Sequence, residues 1–382
     1  MCKKRPATNQ HSKTNSEHNY RRRQLLRTGI AATAVGGSGF GSRALAADSD
    51  PATKTGTGTK TTAITTKRTT MTTPLSCNGE TTYWDRTVEE VDDEWTTRAA
   101  TDRYCSLPCE LLDSSTLEIG QQVRLFHDDG GGFANAIYTI ASDHDSEHLW
   151  LTDRGLGRIG AEGGDTVTVG QLAAHPNYGT RQSARLNDEY AEYLVGDDGD
   201  SNVKNGVDGG DVDTDVLALA PHGGYIEYGT DWQAKRVADT ADGLAWICAG
   251  FNDVGGALDR WHIHSTDIHH ASFPALDDIR HGEFEWSVAF HGYTNNTILV
   301  GGTASEDDRA LVATALEEAL PETPVELASS DASSYAGAAP ENVLNEVGTI
   351  GQTIQLEQPM DVRQEQWAAV ADAVASALEE LH

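Results

Sequence analysis

Beyond residue 110 the chain carries two successive hydrophobic patterns. Residues 122–126, 136–140, 148–152 and 165–169 are short runs rich in β-branched and aromatic side chains, separated by Gly-rich turns. Apolar and polar positions alternate in several of them, which puts alternate side chains on opposite faces. The stretch therefore predicts half-buried antiparallel strands forming a small β-barrel or sandwich. Further on, apolar runs at 216–220, 244–249, 286–290, 297–300 and 353–356 are continuous rather than alternating, as in strands buried on both faces. Another strand is expected to begin at Trp261, and the run ending at residue 291 is expected to start near His281. Helices are predicted at 188–193, 231–240 and 274–280, and one capped by Ser305 should reach Leu320. Trp367, Val370, Ala371, Val374 and Leu378 fall on one helical face, so the chain should close with an amphipathic helix. Strands alternating with helices predict an α/β fold.

The ends of three buried runs carry groups capable of chemistry. DVLALAPHGGYIEYGT, residues 215–230, breaks at Pro221-His222-Gly223-Gly224, where a sharp turn is expected, and Glu227 follows five residues after His222. That offset separates two side chains on a helix, so joint action requires a folded-back loop, which the two glycines permit. The run 286–290 ends in His291-Gly292-Tyr293, and the run 353–356 delivers Glu357. Two histidines and a glutamate with an open fourth position make a hydrolytic zinc site, and a further carboxylate can act as base. Spacing alone leaves open solvated or structural roles for all four, including a salt bridge for Glu357.

APHGGYIEYGT, HIHST at 262–266, FHGY at 290–293, LVGG at 299–302 and IQLEQP at 354–359, in that order, resemble the poly-γ-glutamate hydrolase family. The blocks cover roughly the second half of the chain. The resemblance implies a zinc peptidase with a carboxypeptidase-like mixed sheet flanked by helices. Its activity would be cleavage of γ-glutamyl amide bonds in a polyanionic polymer. Carried over residue by residue, it implies Zn2+ held by His222, Glu227 and His291, with Glu357 as general base and Arg363 near a substrate carboxylate. Arg280 could also meet the polymer. Asn342 and Asn345 match an Asn-x-x-Asn-Arg element of the family and are candidates for substrate binding, but Glu346 stands where the family has Arg. His264 replaces a Thr of the family, as a supporting group or a satisfied neighbour.

The formal net charge is −31, from 28 Lys and Arg against 59 Asp and Glu. No basic face could neutralise phosphates, which excludes nucleic acid as a partner. The acidity suits high salt, where a Debye length of about 3 Å at 1 M leaves little repulsion between the chain and an anionic polymer. Arg21-Arg22-Arg23-Gln24-Leu25-Leu26, a Gly-rich apolar stretch from 29 to 40 and Ala44-Leu45-Ala46 have the order of a twin-arginine signal with its cleavage site. The twin-arginine export machinery is then a partner during secretion, the mature chain is extracellular, and no membrane anchor is expected once the signal is removed. Residues 1–47 form this signal, 48–108 a Thr-rich linker and irregular segment, 109–175 the small all-β domain, and 185–382 the hydrolase domain.

Five cysteines are present, and one bridge is expected within Cys77, Cys105 and Cys109, with Cys248 a buried small residue. The acidic, Gly-rich residues 196–215 invite a calcium reading, but Val203 stands where an EF-hand loop needs Gly, so a solvated insertion is expected. Two competitors to the main reading remain. One is a zinc amidohydrolase acting on another acyl-amide or peptidoglycan-like bond. The other is a non-catalytic extracellular protein that binds polymer.

Overall fold

The computed structural model describes residues 82–98, 101–128, 133–175, 177–196, 214–329 and 335–382. The segment expected to be an export signal, the Thr-rich residues 48–75, Cys77 and the acidic stretch at 197–213 lie outside them.

Six strands close into a barrel: β1 (Tyr83–Val91), β2 (Tyr104–Pro108), β3 (Gln122–Phe126), β4 (Asn135–His144), β5 (Leu149–Thr152) and β6 (Thr166–Gly170). Their spatial order is β1-β5-β2-β4-β3-β6, with β1 and β6 completing the ring. Closure removes the free sheet edges that would otherwise recruit foreign strands. Val88, Leu107, Val123, Leu125, Tyr138 and Val169 are among the side chains filling the interior. Helices α1 (Cys109–Ser114) and α2 (Asp153–Ile159) add Leu111, Leu112, Leu156 and Ile159 to the same core. The barrel thus starts at Tyr83, inside the segment expected to be irregular. The sequence of β1, YWDRTVEEV, buries only Val88, so its alternation is nearly silent and its place comes from pairing with β5 and β6.

After α3 (Arg181–Leu186) the chain builds a seven-stranded sheet. Its elements are β7 (Tyr190–Val195), β8 (Val216–Gly224), α4 (Thr230–Thr240), β9 (Leu244–Gly250), α5 (Ala257–Trp261), α6 (Pro274–Ile279), β10 (Trp286–Gly292) and β11 (Ile298–Gly301). They are followed by α7 (Glu306–Ala319), β12 (Val325–Leu327), α8 (Val343–Val347), β13 (Thr353–Gln358), α9 (Met360–Glu365) and α10 (Trp367–Leu381). The sheet order is β12-β11-β13-β10-β8-β9-β7. Neighbours among β13, β10, β8 and β9 are parallel, whereas β7 and β11 run antiparallel to β9 and β13. One face packs on α4, α7 and α10 through Val237, Val312, Leu316, Val370 and Val374. The other packs on Trp261, Phe273, Leu276, Phe284 and Leu344. Burial on both faces is why the central strands read as unbroken apolar runs.

Two expectations are corrected. Residues 190–195 form strand β7 instead of a helix: Tyr190 and Leu194 face one core, while Ala191, Tyr193 and Val195 face the other. That is a period of two, and the ladder to β9 enforces it. At Trp261 the chain ends helix α5 and continues as a loop, because its carbonyls are claimed by side chains instead of a neighbouring strand.

The barrel and the sheet domain are joined by buried arginines. The Arg158 guanidinium donates to the carbonyls of Asp259 and Arg260, Arg260 donates back to Asn135 O, and Arg124 pairs with Glu189. Cys105 and Cys248 are buried free thiols. Cys109 is disulfide-bonded, and the free Cys105 is therefore not a member of the expected bridge.

Candidate metal centre

Strand β8 does not stop at Pro221, as the sequence led us to expect, but runs on to Gly224. Proline has no N–H for the ladder and survives inside a sheet only where pairing is disturbed. The pairing of β8 with β9 is indeed shifted between Ala220 and Gly223. The irregularity falls on Pro221 and His222. At Gly224 the backbone takes φ +71°, and a Cβ there would lie 2.6 Å from Gly250 O, so only glycine makes this exit. The chain then folds back, Glu227 N donating to His222 O at 2.8 Å. This return brings the two side chains together across their five-residue offset.

Three donor groups converge. His222 Nδ1 lies 3.1 Å from Glu227 Oε1 and 3.1 Å from His291 Nδ1, and His291 Nδ1 lies 3.4 Å from Glu227 Oε2. Zinc bound at about 2.0–2.1 Å in a tetrahedron separates its ligands by about 3.3 Å, so the spacings fit the edges of such a site. Tautomer chemistry agrees. His222 Nε2 donates to Ile263 O at 2.6 Å, which leaves its Nδ1 lone pair facing the carboxylate. Two acceptors aimed at each other in a buried place call for a cation between them. Gly292 N donates to Glu227 Oε2 at 2.9 Å and steadies the carboxylate. Burial alone would raise the Glu227 carboxyl, but without a metal the charge and N–H donation of His222 and His291 in their protonated forms outweigh it and hold it well below the usual range.

His262, which the sequence reading left without a role of its own, is the third imidazole here. Its Nε2 is 4.0 Å from Glu227 Oε1 and its ring centroid 4.2 Å from that of His222. His222, Glu227 and His262 can also present three ligand atoms within 4.8 Å of one another. The closer approach of His291 makes it the better third ligand, with His262 alongside. Burial, then the neighbouring His222, push the His262 pKa well below 6.5, so its ring stays neutral. The HIHST block was the only hint of it in the sequence.

Glu357 stands in register with His291 across the β10–β13 pair. It is 6% exposed, and its pKa is raised to about 7, chiefly by burial and further by the charge of Glu227. A chain of amides holds it: Asn342 Nδ2 donates to Gln355 Oε1 at 2.9 Å, and Gln355 Nε2 donates to Glu357 Oε1 at 3.0 Å. Asn345 Nδ2 donates to Gly337 O and Ala339 O, and its Oδ1 accepts from Thr353. Both asparagines, candidates for substrate binding by sequence, thus spend these bonds inside the protein.

Arg363 packs against Gly292, where any Cβ would collide with the guanidinium, and donates to Tyr228 O at 2.9 Å and Gln358 O at 3.3 Å. Its bond to Tyr228 O holds the residue that follows Glu227. Arg280 is partly exposed and engaged with Asp277 and His270. Beside the site, a cleft of about 340 Å³ is lined by Tyr293, Asn295, Thr297, Leu299, Glu326 and Tyr335. Leu299 pairs with Glu357 across the β11–β13 ladder, so this cleft lies on the Glu357 side. On the side of His262 and Tyr104 the space is only about 10 Å³, enough for one water.

Residues 197–375 match the family model described as Poly-gamma-glutamate hydrolase. Over this segment the resemblance carried by the motif blocks is borne out, and the barrel lies outside it. The chain is 32% identical over 180 residues to the SPbeta prophage-derived UPF0714 protein YoqZ of Bacillus subtilis (strain 168), which covers 47% of this chain and 61% of that protein. It is 31% identical over 151 residues to the UPF0714 protein YndL of the same strain, covering 39% of this chain and 54% of that one. The chain thus spans less than two thirds of each relative. A solved bacteriophage poly-gamma-glutamate hydrolase aligns with a TM-score of 0.40 at 21% identity, over 50% of this chain and 89% of that structure.

Proposed function

We propose that the chain is a zinc-dependent hydrolase that cuts γ-glutamyl amide bonds of poly-γ-glutamate, exported through a twin-arginine signal to work outside the cell. The observation that carries this reading is the convergence of His222, Glu227 and His291 at tetrahedral spacings beside the buried carboxyl of Glu357. The family match over residues 197–375 supports the substrate class.

His222 and His291, through their Nδ1 atoms, and Glu227, through its carboxylate, would hold the ion. When bound, zinc would polarise an amide carbonyl and make water acidic enough to attack it. Glu357, with a pKa of about 7, is suited to take a proton from the attacking water near neutral pH and return it to the departing amine nitrogen. Gln355 and Asn342 keep the Glu357 carboxyl aimed at the site. Ile263 O and Gly292 N fix the His222 ring and the Glu227 carboxylate before substrate arrives, so little reorganisation remains for the reaction itself. The cleft beside Tyr293 and Tyr335, next to the strand that carries Glu357, could seat part of an extended chain. The large negative charge suits the protein to saline surroundings, where screening lets an anionic polymer approach.

One observation favours a second reading within the same reaction class, hydrolysis of a different acyl-amide. Arg363 and Arg280, the two arginines assigned to substrate carboxylates, are both engaged within the protein. Incubating the zinc-loaded chain with poly-γ-glutamate at high salt and following polymer length tests the proposal. Shortening that stops in the Glu357→Gln variant, with zinc retained, supports it. Unchanged polymer together with hydrolysis of a peptidoglycan-like amide to its acid and amine establishes the second reading instead.

A further inference from the structure

The barrel lies outside the segment that matches the family, yet its side chains reach the loop that orients a metal ligand. On the side away from the other donor groups, the ring of His222 is oriented by the bond from Nε2 to Ile263 O. Ile263 sits in the loop 262–267, which belongs to no strand. From the sheet domain Val343 N donates to Ser265 O and His262 N donates to Leu258 O of α5; the side chains that hold the two ends of the loop come from the barrel and from the segment between β1 and β2, where Arg98 also pairs with Asp267. At the front, Arg103 Nη1 donates to His262 O at 2.8 Å and to Leu258 O at 3.1 Å. At the back, Tyr104 Oη donates to Asp267 Oδ2 at 2.5 Å, and Gln122 Nε2 donates to Asp267 O at 2.5 Å. Tyr104 and Gln122 lie on β2 and β3 and are both buried.

We propose that the barrel is an intramolecular brace for the metal centre, with Arg103 and Tyr104 as positioning residues that act on His222 through the carbonyl of Ile263. A ligand imidazole gains orientation and basicity from the group that accepts its second N–H, and loss of such a partner costs about 10–100-fold in metal affinity. Here the loop that carries the accepting carbonyl is held on either side of Ile263, at His262 and at Asp267, so the barrel tunes the affinity of a site to which it contributes no ligand. The brace rests on the reading of His222 as a ligand, and the test separates the two.

The experiment uses the full chain, with zinc as the probe in a chelator competition and Co2+ as a spectroscopic reporter of ligand geometry. Tyr104→Phe and Arg103→Met should each weaken zinc binding about 10–100-fold and alter the visible cobalt spectrum, and Arg103→Lys, which keeps a donor, should recover part of the loss. Thr168→Ala removes a barrel hydrogen bond to Asp85 on the exposed surface and should leave both readouts unchanged. A purely structural barrel would lower the melting temperature of these variants but leave zinc affinity and the cobalt spectrum of the folded chain as in the unmodified protein. Tyr104→Phe and Arg103→Met binding within twofold of the unmodified chain, with its cobalt spectrum, overturns the brace. An unmodified chain that binds no zinc, or His222→Ala that binds as tightly as its parent, overturns the reading beneath it.

Discussion

Two glutamates of the sheet domain, Glu357 on β13 and Glu192 on the edge strand β7, are both raised to about pKa 7, and in both burial is the first cause. Their surroundings differ in kind. Glu192 Oε1 accepts from Trp246 Nε1 at 2.9 Å and from Leu276 N at 2.8 Å, so it ties β7 to β9 and to the first turn of α6. Glu357 receives one described bond, from Gln355, and stands in register with His291 and close to Glu227. A shifted pKa therefore marks a buried carboxyl, and only the partners tell whether it serves structure or chemistry.

The contrast can be broken most sharply at Glu357. Glu357→Gln should lower kcat by about 10²–10⁴-fold while zinc content stays at the level of the parent, as measured by metal analysis and turnover on one preparation. Retained turnover would move the base elsewhere.

The matching change on the edge strand should act on stability instead. The folded pKa of Glu192 lies above its unfolded value of 4.5, so the folded state holds this proton more tightly. Its contribution is fully present below pH 4.5 and is lost as pH rises to about 7, with the sign set by proton linkage. Glu192→Gln keeps an acceptor for Trp246 and Leu276 but cannot ionise. Urea melts at pH 5 and pH 8 should show it gaining on its parent by about 2 kcal/mol between the two, with turnover unchanged. A parallel pH dependence in both proteins would refute the assignment.

A smaller effect is expected one step back from Glu357. Asn342→Ala frees Gln355 and should lower kcat about tenfold with little change in KM, because about 1.4 kcal/mol of orientation is lost in the transition state. An equal fall for Asn342→Asp, which retains an acceptor but loses the donor to Gln355, would tie the effect to that donated bond. The smallest change belongs to the surface. Arg236 and Asp372 bridge α4 and α10 with contacts of 2.5 and 2.7 Å, both half exposed, and Asp372→Asn should shift stability by less than about 1 kcal/mol. A larger loss, read by urea melts, would show that surface charge weighs more here than burial predicts.

Much of the sheet was legible because its central strands are buried on both faces and read as plain apolar runs, as at 216–220, 244–249 and 353–356. The final helix was legible for a related reason, since Val370, Ala371, Val374 and Leu378 must share one face to reach the core. The failures have a common physical source. β1 is mostly polar and exists through pairing at both its edges, and β7 buries alternate residues in two different cores. Such strands show in a sequence only when their partners are known. The site was legible in its composition, since His222, Glu227, His291 and Glu357 all end buried strands or follow one directly. Its supports were not. Ile263 O, Gly292 N and the Asn342–Gln355 pair act through carbonyls, amides and neutral side chains, which carry no distinguishing signal in a sequence.

By itself the sequence determined which segments had to be buried and, through its resemblance to a family, which four side chains were candidates for hydrolytic metal chemistry, because apolar area and the chemistry of imidazole and carboxylate belong to each residue wherever it lies. The tertiary structure alone decided that Pro221 would sit inside a strand, that Asn342 and Asn345 would face inward, and that a barrel outside the family segment would grip the loop behind His222. Those outcomes depend on distances between residues far apart in the chain. Orientation at a site is a property of the assembled neighbours, and no residue carries it alone.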